Sequence, residues 1–161
     1  MAGATTHILR ASLADDKDVY REIELPSDWS LYDLAEAIVG AFDFDFDHAF
    51  GFYGGRNPRT MMNTQPMYEL FADIGEESEG MSVQKTKIGE AFVRKRQKMF
   101  FLFDYGDEWL FRVEFLDTGN RVPRASYPKL LKSAAEAPVQ YAYEEEEDED
   151  EDEDDEEPDQ K

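Results

Sequence analysis

The residues of this chain with the clearest capacity for chemistry lie around one glycine. In the stretch FFLFDYGDEWLFRVEF, which begins at Phe100, the carboxylates Asp104, Asp107 and Glu108 surround Gly106 between two runs of aromatic residues. Clustered carboxylates can divide the roles of acid and base, or they can bind a hard cation. They are also typical of a hairpin turn, where Asp is a common turn former and glycine supplies a positive φ. We favour the turn, and we expect the positive φ at Gly106.

A second group of carboxylates alternates with phenylalanine in FDFDFDH, from Phe42 to His48. Carboxylates at alternate positions also begin the calcium loop of an EF-hand. Counted from Asp43, however, the sixth position is His48 where that loop needs glycine, and the twelfth is Gly54 where it needs glutamate. The segment instead predicts an extended stretch with its phenylalanines inward and its aspartates outward.

His48 is the one histidine near these carboxylates, because the other, His7, is expected in a frayed chain start. A metal-assisted hydrolase or nuclease is the alternative function, although a zinc site normally needs three or four ligands. It would use Asp47, His48, Asp104 and Asp107. We expect no bound metal, no cofactor and no catalytic residue, and an enzyme is the minority interpretation. The candidate binding site comprises Arg21, Asp47, His48, Asp104, Tyr105, Asp107 and Trp109.

The predicted strand DVYREIEL carries one charged residue in an otherwise apolar row. By the two-residue period of a strand, Val19, Arg21, Ile23 and Leu25 lie on one face. We favour an arginine whose aliphatic stem packs while its head reaches water. The alternative is an arginine held for an acidic partner or ligand.

Two runs of basic residues can contact an anion. The first extends from Lys85 to Lys98 with Glu90 as its one acid, and the second extends from Arg121 to Lys132 without an acid. Such runs can follow phosphates, but surface lysines and arginines are ordinarily solvated. An unidentified protein partner is therefore favoured, nucleic acid comes second, and no membrane contact is expected. The candidate anion contacts are Arg94, Lys95, Arg96, Lys98, Arg121 and Arg124.

The charge is divided unevenly along the chain. Of the 161 residues, 38 are acidic and 17 are basic. Residues 144–157 are all Asp or Glu, and with Asp159 the final segment holds 15 acids against one base, Lys161. Residues 1–143 therefore keep 23 acids and 16 bases, a net charge of −7. Because the final segment cannot bury apolar surface, we predict one domain over residues 1–143 and a disordered acidic tail over residues 144–161.

The composition also excludes several classes of protein. The chain contains no cysteine, which rules out disulfides and thiolate chemistry. No apolar run approaches the roughly 20 residues that span a bilayer. The first ten residues lack the basic start and the apolar core of a secretion signal. We therefore expect a cytoplasmic protein.

A small set of strands and helices must position these side chains. THILRASL and DVYREIEL predict a hairpin of two strands, and AFGFY predicts a further strand. PSDWSLYDLAEAIVGAF predicts a helix whose start carries a capping box formed by Ser30 and Asp33, and KTKIGEAF predicts a short second helix. In the aromatic hairpin, residues 100–103 are apolar on both alternating faces, so this strand is expected to be buried on both sides.

Four segments in order resemble one known family. The aromatic hairpin follows the pattern aromatic, Asp, aromatic, Gly, Asp, any residue, Trp. VYREIELPSDWSLYDLAEAIVGAF resembles the family's Arg-containing strand and first helix, FDFDFDHAF its Asp- and His-bearing segment, and YPKLLKSAAEAP its closing segment. Over residues 6–141 the chain is similar to the Ri-plasmid ORF-three-like family, also labelled insertion-element passenger TnpR-like proteins.

This resemblance implies a compact single α+β domain with a largely antiparallel sheet and packed helices. It also implies a link to plasmids and mobile elements, but the family's role is poorly defined. Many relatives carry histidine where this chain has Phe46 and Phe111, so His48 alone is left of any such histidine set. We therefore expect a non-enzymatic interaction domain.

Overall fold

A computed structural model describes residues 4–141 as one eight-stranded sheet with two α-helices. The strands stand in the order β5-β4-β3-β6-β7-β1-β2-β8, and all neighbours are antiparallel except β4 and β5. The predicted sheet and helices are thus confirmed, while the predicted disorder of the acidic tail lies outside the described residues. The elements are β1 (Thr5–Leu13), β2 (Asp16–Pro26), α1 (Leu31–Ala41), β3 (Phe50–Tyr53), β4 (Met67–Glu69), β5 (Met81–Ser82), α2 (Ile88–Ala91), β6 (Lys98–Phe103), β7 (Trp109–Asn120) and β8 (Lys129–Ala134).

Helix α1 begins where the sequence supplies hydrogen-bond partners for its free N–H groups. The Ser30 hydroxyl accepts from the Asp33 N–H, and the Asp33 carboxylate accepts from the Ser30 N–H, both at 3.1 Å. This reciprocal pair is the predicted capping box, and it fixes the first turn of the helix. The apolar side chains of α1 recur every three or four positions, so they share the face that packs on the sheet.

The main core lies between the two helices and one face of the sheet. Phe101 and Phe103 of β6 and Phe111 of β7 are fully buried there. They pack with Leu34 and Ile38 of α1 in one continuous apolar cluster. The alternate residues of β7 point away from this core, because neighbouring side chains of a strand face opposite ways.

A smaller apolar cluster covers part of the opposite face of the sheet. It contains Phe100 and Leu102, whose burial confirms the prediction that β6 is buried on both sides. The loop between β3 and β4 supplies Met61 to this cluster. The cluster does not extend over the whole of β7, and Arg112 is exposed on that face. The two faces of the sheet therefore present different surfaces to a ligand.

Three strands and one histidine differ from the sequence predictions. Strands β4, β5 and β8 were not predicted, since none shows a clear alternation of apolar and polar residues. FDFDFDH forms no strand, but Phe44 is buried while Asp43 and Asp45 are exposed, as the alternation predicted. His7 does not lie in a frayed start: it is buried within β1, stacked on Phe115 at 4.2 Å between ring centroids. Burial lowers the pKa of His7.

None of the helices in residues 4–141 combines the length and the apolar character needed to cross a bilayer.

Candidate functional site

The turn between β6 and β7 is built by an aspartate rather than by the glycine. Asp104 is buried, adopts φ 69°, and accepts from the N–H groups of Gly106 at 3.1 Å and Asp107 at 3.2 Å through one carboxylate oxygen. Glu108 carries the other positive φ of the turn, 56°, while Gly106 has none. The prediction of a positive φ at Gly106 was therefore wrong. Asp104 adopts the left-handed conformation instead, which Asp tolerates because its short side chain can hydrogen-bond to the nearby backbone.

The free oxygen of Asp104 faces His48, which lies in the loop before β3. The Nε2 atom of His48 lies 3.4 Å from Asp104 Oδ2 and 3.5 Å from Asp47 Oδ1. The same nitrogen lies 2.8 Å from the hydroxyl of Tyr141, which donates to the Asp47 carboxylate at 2.9 Å. We call Asp47, His48, Asp104 and Tyr141 the hairpin cluster. It brings together three of the predicted site residues, and its fourth member, Tyr141, gave no sequence signal because it lies far along the chain from Asp47 and His48 and outside the hairpin motif.

The other predicted site residues lie elsewhere. Asp107 is exposed, and its side chain makes no hydrogen bond or ion pair within residues 4–141. Trp109 packs edge-on against Phe44 at 4.8 Å between ring centroids, and within residues 4–141 its buried Nε1 atom has no hydrogen-bond partner. Tyr105 belongs to a separate network on the opposite face of the sheet. The seven-residue site predicted from the sequence is thus divided among several places.

Arg21 is buried rather than partly solvated. Only 6% of its surface is exposed, so the expectation that its head reaches water was wrong. Its guanidinium donates to the carbonyl oxygens of Ala41 at 3.0 Å, Tyr20 at 2.8 Å and Ala134 at 3.2 Å. No carboxylate lies within ion-pair distance of Arg21 in the described part of the chain. Its donors satisfy the last carbonyl of α1 and tie the helix to β2 and β8.

The hairpin cluster lacks the geometry of a metal centre. Within residues 4–141, no group of three or more His, Asp or Glu side chains is arranged to hold a metal ion. Asp104 commits one oxygen to the N–H groups of the turn, and the His48 nitrogen that faces the carboxylates also contacts Tyr141. The arrangement therefore gives the metal-assisted hydrolase no support.

Tyr105 takes part in a buried hydrogen-bond network that the sequence did not reveal. The hydroxyl groups of Tyr53 and Tyr105 lie 2.7 Å apart, and Tyr53 donates to Glu69 at 2.5 Å. The other oxygen of Glu69 accepts from Ser78 at 2.6 Å. Burial raises the pKa of both tyrosines, so they stay protonated and can donate. Because the two tyrosine hydroxyls and the Glu69 carboxylate are all hydrogen-bonded, we interpret the network as structural rather than reactive.

We expect Asp104 and Asp107 to differ sharply in their contribution to stability. Asp104→Ala should lower the free energy of unfolding by about 2 kcal/mol, because it removes the acceptor for two N–H groups and leaves alanine at a positive φ. Asp107→Ala removes the same charge from an exposed side chain and should change stability by less than about 0.5 kcal/mol. Urea unfolding of both variants measures the difference. Equal losses would contradict the assigned turn geometry.

A second site lies on the side of the sheet that carries Phe100. A cleft of about 660 Å³ opens between the loop after β3, the loop before β6 and the exposed face of β7. We call it the basic cleft, because its lining contains five basic side chains and no acidic one. These side chains are Arg56, Arg94, Arg96, Lys98 and Arg112.

The charges of the basic cleft are largely uncompensated. Arg96 lies 3.4 Å from Glu114. Within residues 4–141, the other four basic side chains of the cleft have no carboxylate at ion-pair distance. The guanidinium of Arg112 lies over the ring of Phe100 at 5.0 Å, so the edge of the guanidinium is available to a ligand. Like charges held together repel, so an anion in the cleft would be stabilised.

Gln97 fixes the loop that presents two of these arginines. Its Oε1 atom accepts from the N–H groups of Val93 at 2.8 Å and Arg94 at 3.2 Å, and its Nε2 atom donates to the Ala91 carbonyl at 2.7 Å. Arg96 adopts φ 77°, and its N–H donates to the Phe115 carbonyl at 2.7 Å. The loop is therefore held in place by hydrogen bonds within itself and to the neighbouring α2 and β7.

The basic cleft gathers half of the predicted anion contacts and adds two others. Arg94, Arg96 and Lys98 line it. Three predicted contacts lie outside it: Lys95 pairs with Asp117 at 2.9 Å, Arg121 lies 3.7 Å from Asp28, and Arg124 is exposed elsewhere. The added residues, Arg56 and Arg112, stand singly in the sequence, and only the pairing of β6 with β7 places Arg112 beside the others.

Comparison with known proteins identifies the family of this chain. Residues 6–158 match the family described as plasmid pRiA4b ORF-3-like protein. The chain belongs to this family. The match confirms the family resemblance read from the sequence, but it extends beyond residue 141, where that resemblance ended, into the acidic segment. A comparison with curated proteins yields no match.

The fold of this ORF-3-like protein also occurs in a solved structure. The crystal structure of a protein of unknown function, MM3350 from Methanosarcina mazei Go1, aligns with a TM-score of 0.69 and 21% sequence identity. The alignment covers 90% of this chain and 80% of that one. At this identity the similarity concerns the fold alone, so the function has to be argued from the side chains of this chain.

Proposed function

We propose that this plasmid ORF-3-like protein is a non-enzymatic interaction domain that binds an anionic partner in the basic cleft. The observation that carries the proposal is the lining of the cleft, which contains five basic side chains and no carboxylate. Residues 1–143 contain more acids than bases, 23 against 16, so a surface composed at random would mix the two signs. The concentration of positive charge in one cleft would attract and stabilise a bound anion.

The chemistry of the lining suits oxyanions. Four of the five basic residues are arginines, whose planar guanidinium donates two parallel hydrogen bonds to a carboxylate or phosphate. Arg94 and Arg112 approach the cleft from different elements, a fixed loop and a sheet strand. A ligand in the cleft would be held from two sides on an already ordered framework, which limits the entropy lost on binding.

The proposal is tested by measuring the affinity of the full chain for short-chain inorganic polyphosphate, using titration calorimetry at low salt. We expect the double variant Arg94→Gln/Arg112→Gln to bind at least about tenfold more weakly, because two charge-assisted contacts are lost. The matched control is Arg124→Gln/Lys129→Gln, which removes the same charge outside the cleft. Its affinity should fall by less than about twofold.

Two results would contradict the proposal. If the two double variants lost affinity equally, binding would follow total charge rather than the cleft. If the full chain bound no polyphosphate even at low salt, the cleft would not be an anion site. Thermal melting of both variants serves as a folding control, and we expect it to stay close to the parent because Arg94, Arg112 and Arg124 are exposed and Lys129 is half-buried.

A further inference from the structure

We infer that the anionic partner is a nucleic acid duplex, bound through its phosphates without reading the bases. This inference rests on the proposed function, since it names the ligand class of the same cleft. It follows from three properties of the lining: what it can donate, what it can accept, and whether it offers a ring for stacking.

The lining donates hydrogen bonds but accepts almost none. Arginine and lysine side chains carry donors and no acceptor. The one neutral polar side chain in the lining is Gln97, and both ends of its amide are engaged with the backbone of residues 91–94. Arginine can donate to guanine O6 and N7, but the amino groups of adenine and cytosine need acceptors on the protein, and the lining offers no free side-chain acceptor for them. Phosphate oxygens only accept, and they match basic side chains that only donate.

The lining also lacks a platform for unstacked bases. Proteins that bind single strands stack bases on exposed aromatic rings, at roughly 1 to 3 kcal/mol per base. Phe100 is the one aromatic residue of the lining, it is only 3% exposed, and Arg112 lies over its ring. A single strand therefore gains nothing over a duplex here. A duplex presents one charge per about 1.7 Å of its axis, which favours it electrostatically.

A polycarboxylate partner is a weaker fit for this chain. Residues 144–157 are 14 consecutive acids, so the full chain contains a polycarboxylate of its own. A cleft that bound carboxylates as well as phosphates would meet this competitor in every measurement. An external acidic peptide would then have to displace residues of the same chemistry, whereas a duplex offers a denser and stiffer array of charge.

The salt dependence of duplex binding gives a quantitative test. Four basic side chains of the cleft have no ion-pair partner within residues 4–141. On binding, they should neutralise about four phosphates and release the counterions that were condensed on the duplex there. The plot of log K against log salt should then have a slope of roughly −3 to −4. Arg94→Gln/Arg112→Gln should reduce the magnitude of that slope by about 2, while Arg124→Gln/Lys129→Gln should leave it within about 0.5.

The experiment measures fluorescence anisotropy of labelled duplex DNA with the full chain over a salt series. We expect two duplexes of unrelated sequence to bind within about threefold of each other, and the corresponding single strand to bind no more tightly. Unlabelled polyglutamate should not displace the duplex at equal charge concentration. A preference of more than tenfold for one sequence, tighter binding of the single strand, or displacement by polyglutamate would each overturn the inference.

Failure of this inference is distinguishable from failure of the proposed function. If polyphosphate binds in a manner that depends on Arg94 and Arg112 but duplex DNA does not, the cleft is an anion site and the inferred ligand is wrong. If neither probe binds in that manner, the proposed function fails as well.

Discussion

Arg21→Met is expected to lower the free energy of unfolding by about 3 kcal/mol. Methionine fills a similar volume but donates no hydrogen bond, so the partly buried carbonyls of Tyr20, Ala41 and Ala134 lose this donor. Each acceptor left unsatisfied costs roughly 1 to 3 kcal/mol. Removing a buried charge also recovers part of its desolvation cost, so the net loss is smaller than the sum of the three bonds.

Two other variants isolate the contribution of the Arg21 donors. Arg21→Lys keeps the charge but offers a single ammonium, which cannot reach carbonyls of a helix and two strands together, so an intermediate loss is expected. Arg10→Met removes an arginine paired with Glu22 at the surface and should cost less than about 1 kcal/mol. Urea unfolding measures all three. Parent-like stability of Arg21→Met would mean that the guanidinium does not hold α1 to the sheet.

Gly51→Ala is expected to cost about 3 kcal/mol because strand β3 has no room for a side chain at this position. A methyl group at Gly51 would lie 2.7 Å from the Tyr53 hydroxyl and 2.8 Å from the Tyr105 hydroxyl. Tyr53 is fully buried and cannot withdraw without breaking its hydrogen bond to Glu69. The loss therefore combines overpacking with a weakened polar network.

The matched control for this substitution is another glycine with open space around it. Gly40 lies in α1, and a methyl group there would meet no atom within 4 Å. Gly40→Ala should raise stability by about 0.5 to 1 kcal/mol, because alanine loses less conformational freedom in a helix. Thermal and urea unfolding of both variants provide the comparison. A tolerated Gly51→Ala would show that the two tyrosines are not packed against β3 as described.

Local patterns in the sequence predicted much of the fold correctly. The capping box of Ser30 and Asp33 acts within four residues, and it begins α1 where the sequence placed it. The apolar residues on both faces of the first hairpin strand are a pattern within a single strand, and they predicted that β6 is buried on both sides. Strands β4, β5 and β8 were missed because pairing with a neighbour, rather than a pattern of their own, keeps them in the sheet.

The hairpin cluster could be predicted in part. The turn that contains Asp104 and the segment that contains Asp47 and His48 are both visible in the sequence. The approach of His48 to Asp104 within 3.4 Å depends on the register of β3 against β6, which places the loop before one strand beside the end of the other. The contact from Tyr141 comes from a part of the chain that no local pattern connects to this loop.

The sequence by itself determined the family, the main helix, the aromatic hairpin and the division of charge between residues 1–143 and the acidic segment, because each of these depends on composition or on residues close together in the chain. The tertiary structure alone decided the candidate site. Arg56 comes from the loop after β3, Arg94 from the loop before β6 and Arg112 from the open face of β7, and they share one cleft only after the strands have paired. Strand pairing brings together residues that are far apart in sequence. The local spacing of charged residues does not predict which of them the pairing will place side by side.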